Sequence, residues 1–364
     1  MSTLVIANKL FAEGNGELIQ QELGFILLLA IAAGVAIIVR YTRFNLPYTV
    51  ALVLVGLAIA FIPQGVIQVE IGSDLILAIL LPPLLFEATL HIKFEQFRLD
   101  MVPILLFALV GSLIATFIVA SLMVWLLGLS WSAAIAFGAL ISATDPVAVI
   151  AFFRSLGVSK RLALLVEGES LLNDAIALVL FVMAVATAGG DNAVTLASSM
   201  GQFLSISFGG LGVGIMLGSG VSYLILKNVN DHLIETVTTI TLAFGSYIVA
   251  EELHVSGILA VVAAGLFVGN VGFDNTSPTT QLAMINFWEM LAFIANSLIF
   301  LVIGLEIDII TAVQNSWLAI LIAVAAVLLS RVIVVYSLAA FNKLVNPRRD
   351  IPMPFRHIMF WGGM

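Results

Sequence analysis

A chain of 364 residues that is 62% hydrophobic and only 10% charged, with a mean hydropathy of +1.18, lies far outside the composition of a soluble globular domain and reads as a polytopic membrane protein. The net charge of −8 is spread over short loops, without the basic arm or acidic tail that would support a nucleic-acid partner. The absence of cysteine excludes disulfides, thiolate metal sites and iron–sulfur clusters.

Glu13, Glu17 and Glu22 stand where a cleaved leader would need a basic segment, so no signal peptide is expected. From Leu23 onward, apolar windows of roughly the 17 to 25 residues that cross about 30 Å of hydrocarbon recur about eleven times. They cover 23–39, 46–62, 75–91, 101–127, 131–153, 164–186, 203–226, 236–249, 256–271, 287–307 and 317–341, the eighth and ninth short enough to suggest broken or tightly packed helices. Basic residues follow the odd-numbered spans: Arg40 and Arg43, Lys93 and Arg98, Arg154, Lys160 and Arg161, Lys227, then Lys343, Arg348, Arg349 and Arg356. Only Lys9 and Arg331 break that pattern. The positive-inside rule then places these loops in the cytoplasm and the N-terminus outside, across a plasma or bacterial inner membrane. A further apolar stretch opens at 357–363 and the chain stops there, which suggests that C-terminal spans are missing.

Polar groups inside these spans carry the functional signal, because a charge at mid-bilayer costs at least about 2.5 to 3.5 kcal/mol and needs a partner. In the third span, Glu87 follows Leu81-Pro82-Pro83-Leu84-Leu85-Phe86, where adjacent prolines loosen the helix. Glu87 fits an ion path and equally a glutamate reaching the interface beside His91. In the fifth, Pro146 removes a donor and turns Asp145 away from helix, so Ala143-Thr144-Asp145-Pro146 should open the span and free backbone carbonyls. The plainer alternative is a proline kink satisfied by Thr144. In the sixth, Ser170 and Asp174 are four apart, as are Glu169 and Asn173, so one helix face carries all four. Oxygen donors of this kind, Asp174, Asp145, Thr144 and Ser170, suit a hard monovalent cation rather than zinc or copper. A carboxylate whose proton affinity falls near neutral pH can exchange a proton for a metal ion, and Asp174 is the first candidate. Glu167 reads as interfacial.

Gly210, Gly214 and Gly218 in the seventh span permit close helix packing, and Glu289, Glu306 and Asp308 read as interfacial at span ends. His91, His232, His254 and His357 read as loop or helix-end residues, with no zinc-binding spacing among them. Arg331, the sole basic residue deep in a span, must pair with a carboxylate, Glu169 or Glu87.

Ala-Thr-Asp-Pro-Val at 143–147 and Gly-Glu-Ser-Leu-Leu-Asn-Asp at 168–174 together resemble the signature of the sodium/proton antiporters of the NhaP and eukaryotic sodium/proton exchanger type. Leu-Pro-Pro-Leu-Leu-Phe-Glu at 81–87, Ser330-Arg331 and Trp-Gly-Gly-Met at 361–364 extend the resemblance from the third span to the last residue. The resemblance implies an all-α, inverted-repeat antiporter fold with broken helices, serving pH homeostasis and assembled as a homodimer. It implies a mobile core of about 101–186 and 317–364 and an interface domain of about 23–91 and 203–307. Asp174 would bind the cation or the proton, with Asp145, Thr144 and Ser170 around it and Glu87 contributing as in some members. Glu169 and Arg331 would form a buried salt bridge, and the twelfth helix, whose start alone is present, would cross the broken fifth. Members with Asn-Asp, here Asn173-Asp174, are generally electroneutral, and relatives with Asp-Asp are generally electrogenic. The implied cargo is Na+, or Li+ or K+, against H+, with no cofactor and no enzymatic reaction. The competing readings are a cation channel or ion sensor on the same scaffold, and an intramembrane aspartyl protease using Asp145 and Asp174.

Overall fold

A computed structural model describes residues 23–41, 46–61, 76–144, 159–188, 196–307 and 309–362, and every regular element among them is helical. In chain order these are α1 (Leu23–Tyr41), α2 (Tyr48–Ala60), α3 (Leu81–Leu90), α4 (Phe94–Leu99), α5 (Met101–Leu127), α6 (Trp131–Ser142), α7 (Lys160–Ala188) and α8 (Leu196–Gly220). There follow α9 (His232–Glu252), α10 (Gly257–Phe267), α11 (Pro278–Glu306), α12 (Ile309–Val345) and α13 (Met353–Gly362). Each of the eleven apolar windows falls on one of these helices. Seven are long and apolar enough to cross a membrane among the described residues, the four windows at α2, α3, α6 and α10 holding shorter apolar helices. The expectation of eleven complete crossings therefore rests on those four, and the part of the fifth window beyond Thr144 lies outside the described residues.

Local chemistry explains several boundaries. Pro82 and Pro83 cannot donate to carbonyls one turn back, and a wider π turn, Ile76–Leu80, immediately precedes α3. A second π turn, Leu106–Gly111, lies inside α5, which ends on Gly128 in the left-handed conformation at φ 68°. The eighth window is not broken: Asp231 Oδ1 accepts from the backbone N–H groups of Leu233 and Ile234 at 2.9 and 3.2 Å, and α9 runs unbroken for 21 residues. The ninth is short and tightly packed, residues 257–265 of α10 being buried on every side. α12 is kinked at Ser316, so its apolar run begins at the following Trp317.

The chain divides into two compact units. One takes the described residues of Met1–Leu84 and Glu289–Thr311, the other those of Leu85–Trp288 and Ala312–Met364. In the first, Leu28, Leu80, Leu298 and Leu301 form the core, and Gly56 of α2 lies against the backbone of Leu301 and Gly304. Tyr48 joins it by bonding the Ala32 carbonyl at 3.1 Å and Ser297 Oγ at 2.9 Å. In the second, α5 packs on α6 and α12 through Val119, Ala120, Met123, Ala134 and Ala326. α7 packs on α6 and on the π turn of α5.

α8 packs on α10 through its glycines. A Cβ at Gly210 or Gly214 would collide with the carbonyl oxygens of Ser256 and Ala260, and one at Gly218 would lie 2.9 Å from the Ala264 Cα. Small residues let the two backbones meet, which is the main source of helix association where lipid removes the hydrophobic drive. We expect Gly214→Ala to destabilise the protein by about 1 to 3 kcal/mol through overpacking. Gly212→Ala, facing open space on the same helix, should not lower the midpoint. Thermal unfolding in detergent compares the two.

Candidate functional site

Of the interruption expected in the fifth span, the described residues include only the end of the first helix. α6 ends at Ser142, and Ala143 turns extended at ψ 135°. Thr144 is the last residue described before 159, so Asp145 and Pro146 lie outside the described residues. Opposite this end, α7 is an unbroken helix whose Glu169, Ser170 and Asn173 are buried and whose Asp174 is half-buried.

Two bonds tie the elements together at one residue. Ser170 Oγ donates to the Thr144 carbonyl, and Asn173 Nδ2 donates to Thr144 Oγ1 at 2.9 Å. Residues three apart on a helix share a face, so one turn of α7 grips both the backbone and the side chain of Thr144. Behind it, Ser142 Oγ donates to the Ala139 carbonyl at 2.8 Å and stands 3.5 Å from Thr116 Oγ1 of α5. The grip leaves acceptor capacity: a carbonyl oxygen has two lone pairs, as does a serine hydroxyl. Asn173 Oδ1 is buried with no hydrogen-bond partner among the described residues. Asp174 follows on the same helix, four residues after Ser170, and is half-buried.

The residue just before Ser170, Glu169, belongs to a buried ion pair. Arg331 Nη1 of α12 is 3.1 Å from Glu169 Oε1, the two side chains being 8% and 5% exposed. Nη2 of the same guanidinium donates to the Met359 carbonyl of α13 at 3.2 Å. Of the two carboxylates considered for Arg331, Glu169 is thus the one against it. Glu87 is instead 3.1 Å from His91 Nε2 one turn along α3, and no hydrogen bond joins it to Thr144, Ser170 or Asn173 among the described residues.

Other polar residues fall differently from the reading of the sequence. Glu289 is not near a helix end, because α11 already starts at Pro278; Glu306 is the exposed last residue of that helix, and Asp308 lies outside the described residues. Glu167 sits two turns inside α7. His357 lies within α13, its Nδ1 2.5 Å from the Tyr336 hydroxyl, whereas His91, His232 and His254 are at helix ends or turns. A buried carboxylate that the sequence reading missed is Asp100, 2% exposed and held by Arg161. Its one signal was an aspartate set between Arg98 and the apolar start of the fourth span.

The model of the sodium/hydrogen exchanger transmembrane family matches residues 26–364, and the chain belongs to that family. It is 38% identical over 343 residues to the Na+/H+ antiporter ApNhaP of Aphanothece halophytica, covering 93% of this chain and 65% of that protein. It is equally 38% identical over 359 residues to the Na+/H+ antiporter NhaG of Bacillus atrophaeus, covering 94% of this chain and 66% of that one. The chain thus spans slightly under two thirds of the length of these relatives. Among solved structures, that of the sodium proton antiporter MjNhaP1 from Methanocaldococcus jannaschii superposes with a TM-score of 0.74 at 19% identity, over 95% of this chain and 83% of that one. The fold is therefore the helical antiporter fold, in a multi-pass membrane protein.

Breaking a buried pair from one side leaves the other charge stranded, at a cost of about 3 to 5 kcal/mol. Arg331→Ala should lower stability by that amount, and Arg331→Met combined with Glu169→Met should recover part of it. Denaturation midpoints of the purified variants in detergent test both; equal midpoints for Arg331→Ala and wild type would place the guanidinium in contact with water.

Proposed function

We propose that the protein is a secondary active antiporter that exchanges a monovalent cation, Na+ before Li+ or K+, for a proton at Asp174. The observation that carries this reading is the grip of Ser170 and Asn173 on Thr144, on the turn of α7 that ends in Asp174. It supplies oxygen donors of the hardness an alkali cation takes, beside a carboxylate that can hold either ligand. The names of the relatives, Na+/H+ antiporters, support the same chemistry.

In this reading Asp174 is the shared ligand. With the cation bound, its charge is neutralised by the metal, and Ser170 and Thr144 replace part of the lost hydration shell. With the proton bound, the same carboxylate is neutral and the cation is gone. Both loaded forms carry the same net charge, because Asn173 does not titrate and the Glu169–Arg331 pair is internally neutral. One cation would therefore exchange for one proton without moving net charge. Asp145 is proposed as a further ligand, Glu87 as a contributor at the approach to the site. Alternating access would come from a core of about 101–186 and 317–364 moving against about 23–91 and 203–307, in a homodimer with the N-terminus outside the cell membrane.

Replacing Asp174 by Asn should abolish cation-dependent proton movement in proteoliposomes, because it removes the site's exchangeable charge, and thermal unfolding in detergent checks that the variant is folded. Exchange at the wild-type rate in that folded variant would remove Asp174 from the mechanism.

Competition sets the pH dependence. If proton and cation occupy one site, each lowers the other's apparent affinity. The apparent cation affinity should therefore weaken up to tenfold per pH unit as pH falls through the range in which Asp174 takes up its proton. Sodium-driven proton flux at several pH values reads this, and a pH-independent affinity would separate the two sites. The same flux should be unchanged when potassium and valinomycin clamp the membrane potential, once potassium transport has been excluded. A flux that follows the potential would make the exchange electrogenic.

A further inference from the structure

Toward the start of α7, away from Asp174, three segments of the second unit meet around Asp100: α4, the first turn of α7, and the loop after α12. Arg161 Nε lies 3.1 Å from each Asp100 carboxylate oxygen, and its Nη2 is 2.8 Å from Oδ1. The remaining capacity of Arg161 goes to the carbonyls of Asp350 and Arg349, at 3.1 and 3.0 Å. Arg349 Nη1 stands 3.4 Å from Asp100 Oδ2, and Arg356 pairs with Asp350 at 3.3 Å. One buried carboxylate thus organises two guanidinium groups at the same face.

Beside this network is a cavity of about 160 Å³, walled by Lys160, Arg161, Arg349, Asp100, Leu99 and Leu164. Three cations face one carboxylate there, so positive charge is in excess. Lys160, exposed at the start of α7, makes no hydrogen bond or ion pair among the described residues. Arg349 commits only Nη1 of its guanidinium among the described residues. The segments 93–100, 159–161 and 343–356 together hold eight basic residues and three acidic ones. Immediately beyond the cavity's Leu99 rim, Met101, Val102 and Leu105 are exposed apolar side chains at the start of a membrane-length helix.

A cationic cavity with an apolar sill leading down a membrane helix matches a ligand with a phosphate at one end and hydrocarbon at the other. We propose that this cleft binds the phosphodiester headgroup of an anionic membrane lipid. Lys160 and Arg349 hold the phosphate oxygens, and the acyl chains lie along Leu99, Met101, Val102 and Leu105. The distribution of basic loops puts this end at the cytoplasmic leaflet, where anionic lipid is concentrated and each nearby lysine or arginine adds to its attraction. Asp100 is a positioning residue here: by holding Arg161, it keeps the first turn of α7 and the loop after α12 around the cavity. The site does not depend on the exchange reaction.

The test is binding to the purified protein in a neutral detergent, read by native mass spectrometry and by thermal unfolding. The probes are phosphatidylglycerol, phosphatidylcholine with the same acyl chains, and inorganic phosphate. Phosphatidylglycerol should bind and raise the midpoint, and the other two should not. Lys160→Gln should weaken phosphatidylglycerol binding about fivefold, the contribution of one lysine near an anionic surface, without shifting the lipid-free midpoint. Arg349→Gln also loses its contact with Asp100, so Lys160→Gln, which breaks no contact seen among the described residues, decides the matter. Equal binding of the two lipids, inorganic phosphate acting as well as phosphatidylglycerol, or wild-type binding by Lys160→Gln would each overturn the proposal. None of these readouts measures transport, so their failure leaves the exchange reading untouched.

Discussion

The constraint from which the site follows is that a helix ending inside hydrocarbon strands its last carbonyls away from water. An unsatisfied backbone group there costs several kcal/mol, so non-helical backbone persists only where neighbouring protein repairs it. α6 ends at Ser142, and the repair comes from α7, whose Ser170 donates to the Thr144 carbonyl while Asn173 holds the Thr144 hydroxyl. The same repair gathers oxygen atoms with lone pairs to spare beside Asp174. A break that would be a defect in an isolated helix leaves, in this packing, oxygen atoms of the kind that the proposed cation site would use.

Placing a carboxylate beside that break also demands electrostatic economy. Glu169, on the same turns of α7, would add a second buried negative charge and compete with Asp174 for any proton or cation. Arg331 removes that competition by pairing with Glu169 and spends its second arm on the Met359 carbonyl of α13. The pair is weak evidence for stability, since two desolvated charges roughly cancel their own attraction. What it does is neutralise charge: Glu169 is matched by Arg331, so its carboxylate adds no net charge beside Asp174. It also joins α7, α12 and α13, so the helix bearing the carboxylate is fixed to its neighbours at the level of the site.

The spans and the polar cluster were legible because each rests on a local pattern. Apolar windows locate helices by length, and the spacing of Glu169, Ser170, Asn173 and Asp174 places them on one face whatever the tertiary structure. Pairings between distant residues were not legible. Charge alone admitted Glu87 as well as Glu169 for Arg331; the family resemblance pointed to Glu169, and the packing agrees, Glu87 lying against His91 instead. Asp100 meets Arg161 and Arg349 across 61 and 249 residues, and the loop arginines were read for topology, which conceals that two of them converge on one carboxylate. Glu289 was placed at a span end because the polar first turns of α11, from Pro278 to Asn286, fall below a hydropathy window although they are helical. The eighth span looked short for the same reason, its capped and polar start at Asp231 and His232 lying outside the apolar run.

Asn173 illustrates how one residue answers two requirements. As a neutral side chain it adds no titrating charge next to Asp174, which is the property the proposed one-for-one exchange would rely on. As an amide it also supplies the N–H that Thr144 Oγ1 accepts at 2.9 Å. An ionised aspartate at this position would have two acceptor oxygens and no donor. The Thr144 hydroxyl would then have to turn its own proton toward position 173, and a lone pair now taken up by Asn173 would be released toward the site. Charge count and hydroxyl orientation would change together, so in the proposed exchange an Asn-to-Asp substitution here would alter the geometry of the oxygen donors as well as the number of titrating groups. The donor, not only the absence of charge, is what this arrangement of α6 and α7 requires at position 173.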